Sequence, residues 1–332
     1  MLRKANKRSP EELRKRLEAE TFTRTSISFY RYVRIKDPEA LRDQLYDLWD
    51  DLGVLGRIYV AHEGINAQLN VPDHNVKVFR MVVDQLLEFN GVPFKIGIHE
   101  DAPSFIKLTI KVREYILADG LLPGEYDVTN VGKHLSAREF NDAIDQGAVV
   151  VDMRNNYESD IGRFDGALLP DVTTFAEELP VVSEMLRGQE DKKILLYCTG
   201  GIRCEKASAY LREGGFKDVN QLHGGIIDYK HQIDREGLES KFKGRNFVFD
   251  GRSAEPITDD VLGVCYQCSA PSSTHANCKN TTCNILFIQC DACKDTFNRS
   301  CSGECRDISF LPIEEQEKLR KGVKVFGRIV AR

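Results

Sequence analysis

The run Ile194-Leu195-Leu196-Tyr197-Cys198-Thr199-Gly200-Gly201-Ile202-Arg203-Cys204 constrains this chain more than any other segment. An apolar strand delivers a thiol to a tight Gly-Gly turn. The turn opens at once into a helical pattern, Glu205-Lys206-Ala207-Ser208-Ala209-Tyr210-Leu211. Strand, turn and helix in that order build a parallel sheet with covered faces. The chemistry is equally specific. A helix N-terminus offers free backbone N–H groups that lower a cysteine pKa and hold an anion beside it. Arg203 adds positive charge. The glycines let the backbone close around the sulfur where a Cβ would obstruct it. A cysteine that only packs in a core requires none of this, so Cys198 reads as a reactive thiolate.

The chain has 332 residues, 42% hydrophobic and 29% charged, which suits roughly two or three globular domains. Its basic first residues lack the apolar core of a signal peptide, and no stretch approaches a membrane span. A soluble cytoplasmic protein with no membrane partner is expected. Cytoplasmic thiols stay reduced, so the ten cysteines point to metal binding or catalysis rather than disulfides. The net charge of −5 hides basic ends and an acidic middle. A nucleic acid would be held by the ends or by local patches, although solvated helical faces explain the first residues equally well.

Residues 1–21 read as a basic helical segment. A ferredoxin-like β-α-β-β-α-β unit is expected over 22–118. Its strands are Ser26–Val33, Arg57–Ala61, Asn66–Val71, Phe94–Ile98 and Phe105–Val112. Its helices run from Pro38 to about Leu52, with Leu41, Leu45 and Leu48 on one face, and from Asn75 to about Phe89. Residues 119–132, with Gly120, Pro123, Gly124 and Gly132, read as a linker. From 133 to 235 strands alternate with helices, so an α/β domain with a parallel sheet is expected. Its site belongs at the carboxyl ends of the strands, where Cys198 and the Asp152–Arg154 turn both fall. Residues 236–262 read as a polar connector and 263–332 as a cysteine-rich segment whose last part begins as a charged helix.

Several motifs of the middle domain resemble rhodanese. Cys198 through Arg203 matches its six-residue active loop, and Asp152-Met153-Arg154 with Glu158 matches its Asp-x-Arg…Glu turn. Gly162-Arg163-Phe164-Asp165-Gly166-Ala167 matches a further segment, with Arg163 where histidine is usual, and Gly224-Gly225 matches the closing motif. Residues 22–305 as a whole are similar to the bacterial tRNA uridine(34) hydroxylases. The similarity includes Ala61-His62-Glu63-Gly64-Ile65-Asn66, the run Cys198 to Ala207, Asn246-Phe247-Val248-Phe249-Asp250 and the cysteine-rich tail. The resemblance implies oxygen-dependent hydroxylation of the wobble uridine to 5-hydroxyuridine. It makes Cys198 essential, the tRNA anticodon loop a partner and molecular oxygen a co-substrate, with an electron donor the sequence does not name.

Two reactions suit one thiolate in a cationic loop. Cys198 could carry a persulfide, as a sulfurtransferase does, or add to C6 of uracil and make C5 nucleophilic. A third possibility is a non-catalytic RNA- or protein-binding module, against which the intact Cys198 loop argues. Thr199, Gly200, Gly201, Ile202 and Arg203 form the loop, and Arg203 has the best case for gripping an anion. Asp152, Arg154 and Glu158 are expected to fix loop geometry. Cys204 either faces the sheet or resolves an oxidised Cys198. Tyr30, Tyr32 and Tyr59 suit base stacking or a core position equally.

In the tail, Cys265 and Cys268, Cys278 and Cys283, Cys290 and Cys293, and Cys301 and Cys305 form four close pairs, enough for two tetrahedral thiolate sites. Structural zinc is expected, with an iron–sulfur cluster and a metal-free tail as alternatives. Sequential and cross-braced pairing both fit the spacing, and His275 could replace one sulfur.

Overall fold

The computed structural model describes residues 8–98, 104–121 and 126–321. Residues 1–7, the Pro123-Gly124 part of the expected linker and residues 322–332 lie outside the described residues.

After α1 (Pro10–Glu18), the N-terminal domain runs β1 (Arg24–Tyr32), α2 (Pro38–Asp51), β2 (Leu55–Ala61), β3 (Gly64–Pro72), α3 (Val76–Gln85), β4 (Lys95–Ile96) and β5 (Leu108–Val112). The sheet order is β4-β1-β3-β2-β5. The first four strands pair antiparallel in the expected ferredoxin-like arrangement, and β5 is added parallel to β2. α2 starts where Asp37 accepts a hydrogen bond from the Ala40 amide at 3.0 Å and Pro38 supplies a helical φ. Its buried face carries Leu41, Leu45 and Trp49, with Leu48 only partly buried. Strand alternation then divides β1. Ile27 and Phe29 enter the core with Trp49 and Phe79, while Ser28 and Tyr30 face the other way. Among the described residues, no helix of the N-terminal domain itself covers that second face.

The central domain runs β6 (Lys133–Leu135), α4 (Ala137–Asp145), β7 (Val149–Asp152), α5 (Asn156–Ser159), β8 (Gly162–Phe164), α6 (Phe175–Met185), β9 (Lys193–Tyr197), α7 (Ile202–Glu213), β10 (Asp218–Leu222) and α8 (Gly225–Glu236). Its parallel sheet has the order β6-β10-β9-β7. One core, with Phe140, Phe164 and Tyr229, covers one face. The other, with Phe175, Leu179 and Leu211, covers the opposite face.

The expected connector is structured. β11 (Phe242–Phe247) pairs with β8, and β12 (Ala254–Pro256) pairs with β11. Phe242 and Phe247 are buried, so this segment belongs to the packed body. The tail contains β13 (His275–Asn277), β14 (Leu286–Ile288), α9 (Asp291–Thr296), α10 (Gly303–Ser309) and α11 (Ile313–Arg320). Among the described residues, no helix is long and apolar enough to cross a membrane.

The open face of the N-terminal sheet docks on the start of α7. Lys206, 2% exposed, pairs with Glu63 and Asp119 at 3.1 Å each and donates to the Leu117 carbonyl at 2.9 Å. Tyr126 donates to Asp119 at 2.8 Å. Asp119 and Tyr126 are buried, so both described ends of the expected linker pack against the body. Removing one partner of a buried ion pair strands the others and costs about 3–5 kcal/mol. Lys206→Ala is therefore expected to lower the melting temperature and to open residues 113–121 to protease. Unchanged melting and proteolysis would show that this cluster does not hold the domains together.

Candidate active site

Strand β9 is apolar and buried over Ile194–Tyr197, and its end delivers Cys198 to the carboxyl edge of the sheet. The loop closes because two glycines allow it. Gly201 caps α7 at φ +95°, a conformation that favours glycine. A Cβ on Gly225 would lie 2.6 Å from the Cys198 carbonyl oxygen and 2.7 Å from the Gly200 nitrogen. In its absence, the Ile226 amide donates to the Cys198 carbonyl at 3.0 Å and the Ile227 amide donates to the Thr199 carbonyl at 3.2 Å. With these carbonyls engaged, the Gly201 amide donates to Cys198 Sγ at 3.1 Å.

Burial alone would raise the Cys198 pKa. The Cys204 thiol, the Arg203 charge and the amides of Arg203 and Cys204 outweigh it and bring the pKa down to about 6. The sulfur is a thiolate at neutral pH. Cys204 is held as the thiol, its pKa pushed well up by burial and by its bond to Cys198. It packs in the core beneath the loop and donates to the Cys198 sulfur.

Asp152 and Arg154, both fully buried, form a forked pair at 2.7 and 2.8 Å. Tyr197 donates to Asp152 at 2.7 Å, and Arg154 also reaches the Gly162 carbonyl. This pair ties the neighbouring turn to the strand that carries Cys198. The Arg203 guanidinium is forked onto Glu158 at 2.6 and 2.9 Å and reaches the Thr199 hydroxyl at 3.5 Å. Its charge favours the thiolate, and Arg203 lines the cavity beside Cys198. Glu178, behind this pair, has both oxygens buried without a hydrogen-bond partner, and burial pushes its pKa well up. It holds a proton.

A cavity of about 340 Å³ separates the loop from the open face of the N-terminal sheet. Cys198, Thr199, Gly200 and Arg203 line one wall, Ser28, Tyr30, Tyr59, Gln68 and Lys95 the other, and Phe249 and Arg252 contribute beside them. Tyr30 and Tyr59 thus belong to the cavity, whereas Tyr32 packs against Lys206 at the domain contact. Tyr30 donates to Glu205 at 2.9 Å, and Gln221 and His134 hold the same carboxylate. The Lys95 ammonium lies 4.4 Å from the Tyr30 ring centre. Burial lowers its pKa to about 8, against the pull of Cys198, Asp228 and Glu205. Lys95 and Gln68 carry no motif. The signal for such a wall was the polar alternate positions of β1, a strand face with nothing in its own domain to cover it.

The tail pairs its cysteines in the cross-braced manner. Cys265, Cys268, Cys290 and Cys293 form one group, and Cys278, Cys283, Cys301 and Cys305 the other. Within each group the sulfurs lie within 4.8 Å of one another, and each group can hold a metal ion. His275 belongs to neither. It packs edge-on against Phe247 at 5.0 Å, and burial lowers its pKa to about 4.

The thiolate population of Cys198 is expected to rise with pH through a midpoint near 6. The difference in ultraviolet thiolate absorbance between the wild type and Cys198→Ser follows it directly. Arg203→Gln removes a cation that favours the thiolate, so the midpoint moves up towards the ordinary 9.0. A midpoint unmoved by that substitution contradicts the electrostatic account.

Three family profiles cover most of the chain. Residues 24–116 match the UPF0176 acylphosphatase-like domain, 136–232 the rhodanese-like domain and 243–306 the rhodanase C-terminal domain. A tRNA uridine(34) hydroxylase of Leptospira interrogans is 56% identical over 94% of this chain and 85% of its own length. One of Cronobacter sakazakii is 48% identical over 96% of this chain and 91% of its own length. One of Escherichia fergusonii is 46% identical, with 96% and 91% covered. At these identities over nearly the whole length, the chain belongs to the tRNA uridine(34) hydroxylase family.

Proposed function

We propose that uridine 34 of tRNA leaves the stack of the anticodon loop, enters the cavity between the two domains and is attacked at C6 by the Cys198 thiolate. The observation that carries this reading is the thiolate itself, facing a base-sized cavity across from a polar and aromatic wall. A loop nucleotide is already single-stranded, so it can be splayed into such a pocket without duplex opening.

The chemistry balances with dioxygen as co-substrate. Addition of sulfur to C6 places an electron pair on C5 and O4. The Lys95 ammonium and the amides of the Cys198 loop favour negative charge in this cavity. Dioxygen with two electrons and two protons from an external reductant reaches the peroxide level. The C5 carbanion takes one oxygen as hydroxyl, and the second leaves as water. Loss of the C5 proton and expulsion of the thiolate from C6 then restore the ring as 5-hydroxyuridine. Both the tRNA substrate and a reduced thiolate suit the cytoplasm.

The tail is read as a structural zinc module. Zn–S bonds of about 2.3 Å place tetrahedral sulfurs about 3.8 Å apart. The pairs Cys268–Cys290 and Cys283–Cys301 stand at 3.6 and 3.7 Å. An iron–sulfur cluster divides its four thiolates between different irons and spreads them beyond the 4.8 Å within which all four sulfurs of each group lie. About two zinc ions per chain in a colourless protein are expected, and chelation should unfold the tail while the parallel-sheet domain stays folded. A visible iron–sulfur spectrum, or a tail indifferent to chelation, contradicts the zinc reading.

Cys198 itself is tested by nucleoside analysis of tRNA from a strain lacking the gene, complemented with wild type or Cys198→Ser. Wild type is expected to restore 5-hydroxyuridine derivatives only in the presence of oxygen, and Cys198→Ser to restore none. Restoration by Cys198→Ser would remove the thiolate from the reaction. Loss and recovery of a thiolated nucleoside instead would indicate sulfur transfer.

A further inference from the structure

We infer that Gln68 reads the Watson–Crick edge of the target uracil, and that Asn66 sets which way the Gln68 amide points. This rests on the reading that the base enters the interdomain cavity.

Asn66 and Gln68 are two residues apart on β3, so both face the cavity. β3 is hydrogen-bonded to β1 on one side and β2 on the other, which leaves its backbone little freedom. Across the sheet Gln68 lies between Ser28 and Arg57, and the small Ser28 side chain leaves room over it.

The polarity of the two amides follows from one atom. Asn66 donates through Nδ2 to the Ile116 carbonyl at 3.3 Å, and a carbonyl can only accept. Asn66 Oδ1 is therefore the end that faces Gln68, and Gln68 Nε2 donates to it at 3.2 Å. Gln68 is left with one N–H and with Oε1, which has no protein donor among the described residues.

That pair of groups matches uracil. The uracil N3–H donates to Oε1, and the remaining Nε2–H donates to a carbonyl oxygen beside N3. Cytosine presents the reverse pattern, a bare N3 acceptor and an exocyclic amino donor. Against an amide of fixed polarity it meets acceptor with acceptor and donor with donor. A turned amide would accept cytosine, and the Ile116–Asn66 link opposes the turn. Gln68 is thus a specificity residue and Asn66 a positioning residue.

The test uses full-length Cys198→Ser protein, which binds without reacting. Its affinity is measured for anticodon stem-loops carrying uridine, cytidine or an abasic nucleotide at position 34. A well-formed two-point base contact discriminates by about tenfold or more, so the uridine loop is expected to bind tighter than the cytidine loop by at least that factor. Gln68→Leu should erase the preference by weakening only the uridine loop. Gln68→Glu, nearly isosteric and so a check against misfolding, should erase it too, because it sets an acceptor against the carbonyl. Asn66→Leu frees the amide to turn and should narrow the preference by improving the cytidine loop relative to the uridine loop.

A uridine preference that survives both Gln68 substitutions, or an equal loss for all three loops, overturns the assignment while leaving base entry standing. If the abasic loop binds the unsubstituted site as tightly as the uridine loop, the base does not enter the cavity, and both readings fall.

Discussion

Docking of an uncovered sheet face onto the start of α7 sets the environment of Cys198. A helix N-terminus and a cation, supplied by the rhodanese-like domain through Gly201 and Arg203, favour the thiolate against the cost of its burial. The N-terminal sheet supplies the opposite wall of the cavity. It also brings the polar groups that a bare loop lacks. Lys95, Tyr30 and Gln68 line the cavity where Lys206 holds Glu63 and Asp119 against the same helix that begins at Ile202.

Buried charge is arranged in closed pairs around this point. Arg154 is matched by Asp152 and Arg203 by Glu158, each through a fork. Such pairs add little net stability over apolar packing, but they fix orientation, because a broken pair leaves a charge stranded. Their yield here is a loop whose amides stay aimed at one sulfur. The same logic runs through Arg252, which joins Asp250 and Glu255, while Glu255 accepts from the Ile98 amide and links the N-terminal domain to the segment after β11.

What the sequence disclosed depended on range. Cys198, its glycines and the helix behind them lie within a few residues of one another, so their chemistry could be read directly. The β-α-β-β-α-β order was equally local, carried by strand alternation and by the Asp37-Pro38 helix start. The fork of Arg203 onto Glu158 could not be read in the same way, because the two lie 45 residues apart. Residues 236–262 looked like a connector because Lys243 and Arg245 interrupt the apolar pattern of β11, which pairs on both edges and buries Phe242 and Phe247. Lys95 and Gln68 become site residues only when two domains meet. The cysteine spacing allowed two pairings, and the fold of the tail, by bringing Cys290 back to Cys268, selects the cross-braced one.

The central claim is that the Cys198 thiolate bonds to the base inside this cavity. An anticodon stem-loop carrying 5-fluorouridine at position 34, incubated with the protein under hydroxylating conditions and examined by mass spectrometry, tests it most directly. The account predicts a covalent RNA–protein adduct on the peptide that contains Cys198, and none with Cys198→Ser. Absence of any adduct from protein that hydroxylates the unfluorinated loop, or an adduct on a different residue, would contradict it.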